Sequence, residues 1–162
     1  MKALTLTQPW ATLISLGQKK IETRSWATSY RGRLATHAGK GLGPVGGMRG
    51  LLELLEQDVF WNALYPLQPS VFNAKGLAKL ALPRGAIVAT CELVAVIPTR
   101  AFEDSLTQYY EYPRGWTLTD QERAFGDYSP GRYAWLLSSI VELSAPVPVK
   151  GQLGLWKYEG EL

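Results

Sequence analysis

The chain has 162 residues, of which 46% are hydrophobic and 19% are charged. This length suits one domain with a hydrophobic core and leaves little room for a second, and the composition excludes a disordered chain. With sixteen glycines and ten prolines, the sequence favours short strands and turns over a helical bundle. One histidine and one cysteine are too few for a zinc site of the usual kind, so we expect no metal and no cofactor.

The positive charge is concentrated in the first quarter of the chain. Residues 1–40 contain seven Lys or Arg and a single acidic residue, Glu22, whereas residues 41–162 contain ten basic and thirteen acidic residues. A basic patch on an otherwise slightly acidic protein indicates a polyanionic partner, with a solvated basic face as the alternative.

A cytoplasmic location without a membrane partner is expected. Cys91 lies in the apolar run 87–97 and is predicted to be a small core residue, so a reducing compartment is the default. The N-terminus lacks the apolar core of a signal peptide, and no apolar run reaches the length of a membrane span.

The first forty residues predict three short strands and one helix. Segment 3–7 alternates as a first strand. A short helix follows, capped by Thr7, with Trp10 and Leu13 on its apolar stripe and Gly17 as its stop. Segments 20–24 and 33–38 alternate as the second and third strands.

The rest of the chain predicts two long strands separated by irregular regions. Residues 48–55 are apolar at helical spacing, and a helical turn is predicted at 74–80. Residues 86–97 are apolar on both faces, which predicts a central strand. A second long strand is predicted at 132–143, an extended turn at Pro146 and Pro148, and a final strand at 154–158. Trp135 and Trp156 are predicted to be core residues of these closing strands.

These elements predict a single domain over residues 1–162, with insertions at about 41–82 and 98–131. The second insertion contains a capping-box pattern, Thr119-x-x-Glu122, that predicts a short helix. The fold class is α+β: a small β-barrel of five to six mostly antiparallel strands with a short N-terminal helix and helical insertions.

The pattern Gly17-x-Lys19-x-x-Glu22-x-Arg24 is the centre of the predicted site. In a regular strand with Ile21 in the core, Glu22 and Arg24 share the other face, and Lys19 joins them only if the chain bends after Gly17. Lys19 and Arg24 are candidates for holding phosphate. Glu22 is a candidate acceptor for a base amine or a general base, and a simple Glu22–Arg24 ion pair is the alternative.

The neighbouring aromatic and basic residues extend this candidate site. Trp26 and Tyr30 are candidates for stacking on a base, whereas Trp10, on a helix face, is expected in the core or in the cleft wall. His37 is a candidate acid or base, with a structural role as the alternative. Contacts to a phosphate backbone, or a solvated face, are expected of the remaining cations: Arg31, Arg33 and Lys40.

Four segments together resemble the ASCH domain family, the activating-signal cointegrator homology family with its PUA-like barrel. They are Gln8-Pro9-Trp10-Ala11, the Gly17–Arg24 pattern, Trp26 with Tyr30-Arg31-Gly32-Arg33-Leu34, and Lys150-Gly151 with Leu155-Trp156. The entry Pro83-Arg84-Gly85-Ala86-Ile87-Val88 also resembles this family. The likeness covers about 1–40, 83–97 and 132–158 and does not extend to the two insertions.

The resemblance implies a cleft beside the first helix and a role in nucleic-acid or modified-nucleotide metabolism. Members of the family and its relatives bind RNA or DNA, and some relatives are amidohydrolases acting on acetylated cytidine or ribonucleases. The amidohydrolases use a threonine where this chain has Glu22, which weakens that prediction. The Glu22 form resembles the nucleic-acid-binding cointegrator domain.

We therefore expect a module that binds single-stranded or locally opened RNA or DNA, or a modified nucleotide within it. One alternative is a metal-independent amidohydrolase or ribonuclease with Lys19 and Glu22 as its catalytic pair. The other is a protein-interaction module whose partner binds residues 98–131, where the aromatic candidates are Phe102, Tyr109, Tyr110, Tyr112 and Trp116.

Overall fold

A computed structural model of the chain describes residues 1–64, 82–103 and 116–162. Within these ranges, six strands form one curled, half-barrel sheet with few helices. The strands are β1 (Lys2–Leu6), β2 (Ile21–Arg24), β3 (Gly32–Ala38), β4 (Ala86–Pro98), β5 (Tyr133–Pro148) and β6 (Leu155–Lys157). Their order in the sheet is β2-β5-β4-β3-β1-β6. Only β1 and β3 pair in parallel among the described strands, and the other pairs are antiparallel.

Strand β4 occupies the interior position predicted for it, between β3 and β5. Strand β5 is longer than predicted, because Pro146 and Pro148 belong to it rather than to a turn. Pairing with β4 resumes beyond a register shift, where Val147 lies opposite Ile87 and Pro148 opposite Ala86. Pro148 has no N–H to donate, and the end of a strand tolerates that loss.

Four short helices and two 3-10 turns accompany the sheet in the described part of the chain. The helices are α1 (Trp10–Ser15), α2 (Gly47–Leu55), α3 (Asp58–Ala63) and α4 (Asp120–Ala124), and the 3-10 turns are Gly43–Val45 and Thr99–Phe102. The prediction that Thr7 caps α1 is wrong. The side chain of Gln8, rather than Thr7, accepts the Thr12 N–H at 3.2 Å, and its amide donates to Pro83 O at 2.6 Å, tying the helix to the start of β4.

The sheet has apolar residues on both faces. In β1, Leu4 and Leu6 pack with Ile14 of α1 in the main core, whereas Ala3 packs with Trp156 in a smaller cluster. Because side chains alternate along a strand, these two clusters lie on opposite faces of the sheet. A groove on one face is therefore separated from a groove on the other by the β1–β3 ladder.

The predicted α+β, PUA-like fold is confirmed, as are the core positions of Trp135 and Trp156. The helix predicted at 48–55 is α2, whereas the turn predicted at 74–80 lies outside the described residues. The boundaries of the domain and of its insertions stay predictions.

In the second insertion, Tyr109, Tyr110 and Tyr112 also lie outside the described residues. Trp116 and Phe102 are partly buried against a cluster around Ile97, and the Phe102 ring meets Tyr128 edge-on at 6.0 Å. These two aromatic side chains therefore pack within the domain.

No helix in the described part of the chain is long and apolar enough to cross a membrane.

Cys91 should be unreactive in the native protein. Its side chain is buried beside the Leu34 carbonyl, and burial raises the pKa of the thiol to about 11. The reactive thiolate is then scarce at pH 8. We expect a thiol-specific disulfide reagent to label native protein at least tenfold more slowly than protein unfolded in guanidinium. Equal rates in the two states would contradict the buried position of Cys91.

Candidate functional site

A bend after α1 brings Lys19 under strand β2. Gly17 adopts a positive φ of 68°, which glycine tolerates best. The N–H groups of Gln18 and Lys19 both donate to Leu13 O, at 2.9 and 3.0 Å. As a result, Lys19 Nζ lies 3.5 Å from Glu22 Oε2. The sequence pattern therefore does bring Lys19 and Glu22 together.

The ammonium group of Lys19 is fully buried, with 0% of the side chain exposed. It donates to Ile21 O at 2.5 Å and to Phe125 O at 2.9 Å, and Glu22 is its third neighbour. Two of the three N–H donors of the ammonium group therefore have carbonyl acceptors, and the Glu22 carboxylate compensates the charge. This satisfaction offsets the large cost of burying a charge. Lys19 is thus buried behind the residues that line the cleft and does not project into solvent.

The Glu22 carboxylate lies between two cations. Its Oε2 faces Lys19, and its Oε1 lies 3.6 Å from Arg24 Nη1. The Glu22 side chain is 8% exposed and that of Arg24 is 27% exposed. The three side chains carry a net charge of +1. Their exposure to solvent increases from Lys19 through Glu22 to Arg24.

The opposite wall comes from the end of α4 and the segment that follows it, and Glu122 of α4 holds this wall against the start of β2. Glu122 accepts the backbone N–H groups of Lys20 at 2.6 Å and Ile21 at 3.3 Å. Burial raises the pKa of the Glu122 carboxyl, while the Lys20 N–H counteracts part of that rise. The predicted capping box is half present: Thr119 Oγ1 accepts the Glu122 N–H at 3.2 Å, but the Glu122 side chain reaches β2 instead of its own helix.

Asp127 and Arg132 complete this wall. Thr23 Oγ1 accepts the Asp127 N–H at 3.0 Å. Arg132 Nε lies 3.1 Å from Asp127 O and 3.3 Å from Asp127 Oδ2. Hydrogen bonds from Ser129 lower the pKa of the Asp127 carboxyl. Arg132, whose side chain is 27% exposed, is therefore a second oriented guanidinium at the cleft.

The cleft between these walls has a volume of about 420 Å³, within the range of about 300–1,000 Å³ common for ligand sites. Three predicted site residues line it: Trp10, Glu22 and Arg24. The other lining residues are Leu6, Thr7, Thr23, Pro44, Ala124, Phe125, Gly126, Asp127 and Arg132.

Trp26 lies beside the cleft and does not line it. Its ring meets Trp135 edge-on at 4.7 Å, and its carbonyl accepts the Trp135 indole N–H at 3.3 Å. The Arg24 guanidinium lies 5.8 Å from the centre of the Trp26 ring, a cation–π distance. Trp26 therefore supports the guanidinium from the side.

The remaining predicted residues lie elsewhere. Tyr30 donates its hydroxyl to Arg33 O at 2.5 Å, and the exposed Arg31 guanidinium donates to Thr28 O and Tyr30 O. These contacts order the loop before β3, whose first residues include the exposed Arg33.

His37 and Lys40 line a different pocket. His37 is 2% exposed, and burial lowers the pKa of its imidazole. His37 Nε2 lies 3.1 Å from Val149 O. Because a carbonyl only accepts, this nitrogen carries the proton.

The wall formed by 124–127 and Arg132 is not predicted from the sequence. The Thr119–Glu122 pattern was visible, but it carries no information about a partner more than a hundred residues away. In the described ranges, no cluster of three or more His, Cys, Asp or Glu side chains could hold a metal ion.

Replacing Lys19 with methionine should destabilise the protein by about 3–5 kcal/mol, because it leaves Glu22 and two carbonyl groups without their buried donor. Urea unfolding measures this change in the free energy of unfolding. The control is Lys20→Met, at an exposed side chain, with an expected change within about 0.5 kcal/mol. Lys19→Met/Glu22→Met removes both charges and should recover part of the loss. A single-variant effect below about 1 kcal/mol would contradict this role of Lys19.

The chain is similar to known proteins over nearly its whole length, at low sequence identity. Activating signal cointegrator 1 of Mus musculus is 24% identical over 98% of this chain, and that of Homo sapiens is 23% identical over the same share. The chain spans 22% of the length of these relatives. A crystal structure of a mutant of ZmASCH from Zymomonas mobilis covers 91% of this chain and 74% of its own, with 12% identity and a TM-score of 0.44.

The sequence model of the ASCH domain matches residues 4–140, which is most of the chain. The protein therefore belongs to the ASCH domain family, a family generally associated with RNA binding.

Proposed function

We propose that the cleft binds one unpaired nucleotide of a single-stranded or locally opened nucleic acid, natural or modified. Glu22 contacts the edge of the base, and Arg24 and Arg132 contact phosphate. The observation that carries this proposal is the Glu22 carboxylate, held between two cations in the wall of a nucleotide-sized cleft. The association of the family with nucleic-acid binding supports the class of ligand.

Glu22 has the chemistry to recognise a base. An ionised carboxylate offers about four acceptor positions on two oxygens. Its two cationic neighbours are at 3.5 and 3.6 Å, beyond an ideal charge-assisted hydrogen bond. Acceptor positions therefore remain for an exocyclic amine, the group through which acidic side chains recognise cytosine.

Arg24 and Arg132 provide the phosphate contacts. Both line the cleft and keep about a quarter of their side chains exposed. Each is oriented by a carboxylate and retains further N–H donors, since a guanidinium carries five. Bidentate contact with phosphate oxygens fits this arrangement. Lys19 takes a positioning role, because it fixes Glu22 from below.

Trp10 is the stacking candidate inside the cleft, because it is half-buried and lines the wall. Stacking on an aromatic side chain contributes about 1–3 kcal/mol per base. Trp26 contributes to binding indirectly, because its ring supports the Arg24 guanidinium. The chain that leaves β2 carries Tyr30, Arg31 and Arg33. We assign these residues to contacts with the nucleic-acid backbone on either side of the bound nucleotide.

A hydrolase function has less support in this geometry. Lys19 would have to exchange protons with a substrate, but its ammonium is buried and occupied by two carbonyls and Glu22. The Thr23 hydroxyl accepts the Asp127 N–H. Turnover of an acetylated cytidine, lost in Glu22→Gln, would favour the enzyme over the binding module.

Arg24→Ala should weaken binding of a labelled single-stranded oligonucleotide at least tenfold, because it removes a phosphate contact and a neighbour of Glu22. Fluorescence anisotropy with RNA and DNA, each single-stranded and duplex, measures the affinity at two salt concentrations. Affinity should fall with salt in the wild type and less steeply in the variant.

The control is Arg49→Ala, which removes an arginine that also pairs with a glutamate, at 2.9 Å, outside the cleft. Its affinity should match that of the wild type. An Arg24→Ala protein that binds as tightly as the wild type would contradict the assignment of Arg24 to the binding site.

A further inference from the structure

A second groove lies on the other face of the β1–β3 ladder. It has a volume of about 800 Å³ and is lined by Thr5 of β1 and His37 of β3, whereas the first cleft is lined by Leu6. Neighbouring residues of a strand point to opposite faces, so the two openings do not merge across β1. We call this groove the basic pocket, after the three cations that line it: Lys40, Arg84 and Lys150.

Backbone hydrogen bonds hold the three segments of the basic pocket together. Gly85 donates its N–H to Ala38 O at 2.7 Å, and Val149 donates its N–H to Gly85 O at 3.0 Å. Gly85 has a positive φ of 67°, and a Cβ there would lie 2.8 Å from the stem of Lys40. The stem of Lys40 therefore lies directly on the Gly85 backbone, and Arg84, the residue before Gly85, lines the same pocket.

The charges of the basic pocket are unbalanced. No acidic side chain is among its lining residues. In the described part of the chain, none of Lys40, Arg84 and Lys150 forms an ion pair, and all three are exposed. In the first cleft, by contrast, Arg24 and Arg132 each have a carboxylate partner. Three unpaired cations at one opening create a local potential that attracts an anion.

The lining of the basic pocket combines these cations with apolar and polar groups. Pro148, Val149 and the fully exposed Leu153 supply apolar surface. His37 is buried against Gly151, and its Nδ1 has no hydrogen-bond partner among the described residues. A Cβ at Gly151 would lie 2.6 Å from this nitrogen. A ligand with an anionic head and a flat apolar body matches this combination.

We propose that the basic pocket is a second binding site, which takes the phosphate group of a nucleotide on Lys40, Arg84 and Lys150. The apolar surface of Pro148 and Val149 takes the base or sugar. The phosphate comes from a free mononucleotide or from the backbone of an oligonucleotide. No residue lines both this pocket and the first cleft, so this proposal does not rest on the nucleotide proposed for the first cleft.

The test follows the amide signals of Gly39, Gly85 and Gly151 by NMR during titration with four probes. The probes are inorganic phosphate, adenosine, adenosine 5′-monophosphate and a single-stranded octanucleotide without a terminal phosphate. We expect saturable shifts with the monophosphate, weaker ones with inorganic phosphate and none with adenosine. Arg84→Ala/Lys150→Ala should weaken this binding at least tenfold. The control Lys157→Ala, at a cation paired with Glu159, should leave it unchanged.

The oligonucleotide identifies the source of the phosphate. Saturable shifts at the three glycines with the octanucleotide indicate backbone binding, and shifts with the monophosphate alone indicate a free nucleotide. In Arg24→Ala these shifts should persist, which separates this site from the first cleft. Equal shifts with adenosine, unchanged binding in the double variant, or no saturable shift with any phosphate probe would overturn the proposal.

Discussion

The buried ammonium group of Lys19 is the interaction on which the candidate site depends. It joins β2 to the segment after α4 through Ile21 O and Phe125 O, and it balances Glu22. Glu122 reinforces the same junction from the other side by accepting the N–H groups of Lys20 and Ile21, at the start of β2. Buried charged groups from each wall of the cleft therefore hydrogen-bond to the backbone of the other wall. Such a junction is rigid in the way that a preorganised binding site requires.

The sheet divides the basic N-terminal quarter of the chain between two surfaces. Arg24 and the supporting Lys19 belong to the first cleft, whereas Lys40 belongs to the basic pocket on the other face. The cations of the first cleft have carboxylate partners, which suits recognition of a polar base edge together with phosphate. Those of the basic pocket have none among the described residues. The cations of the first forty residues are thus divided between two openings that differ in how their cations are paired.

Local patterns predicted the parts of the fold that local physics determines. Alternation in β1 and β3, the two-sided apolar run of β4 and the stop at Gly17 were all visible in the sequence. The burial of Lys19 was not, because it depends on Phe125, which is 106 residues away. The positions of Arg132 and Asp127 at the cleft were not visible in the sequence either, because they depend on contacts with the distant residue Thr23. Glu122 was recognised as a helix-capping residue, but its partner on β2 is set by tertiary packing. His37 and Lys40 were assigned to the same site as Arg24 because they are near in sequence, but both line the basic pocket and not the first cleft.

We propose that Glu22, held by Lys19 and Arg24, contacts an unpaired base in the first cleft. A crystal structure of the chain with a short single-stranded oligonucleotide tests it most directly. We expect one base inside the cleft, with a polar edge within hydrogen-bond distance of Glu22 and its phosphate on Arg24 or Arg132. An oligonucleotide bound elsewhere, with no group in the cleft, would contradict it.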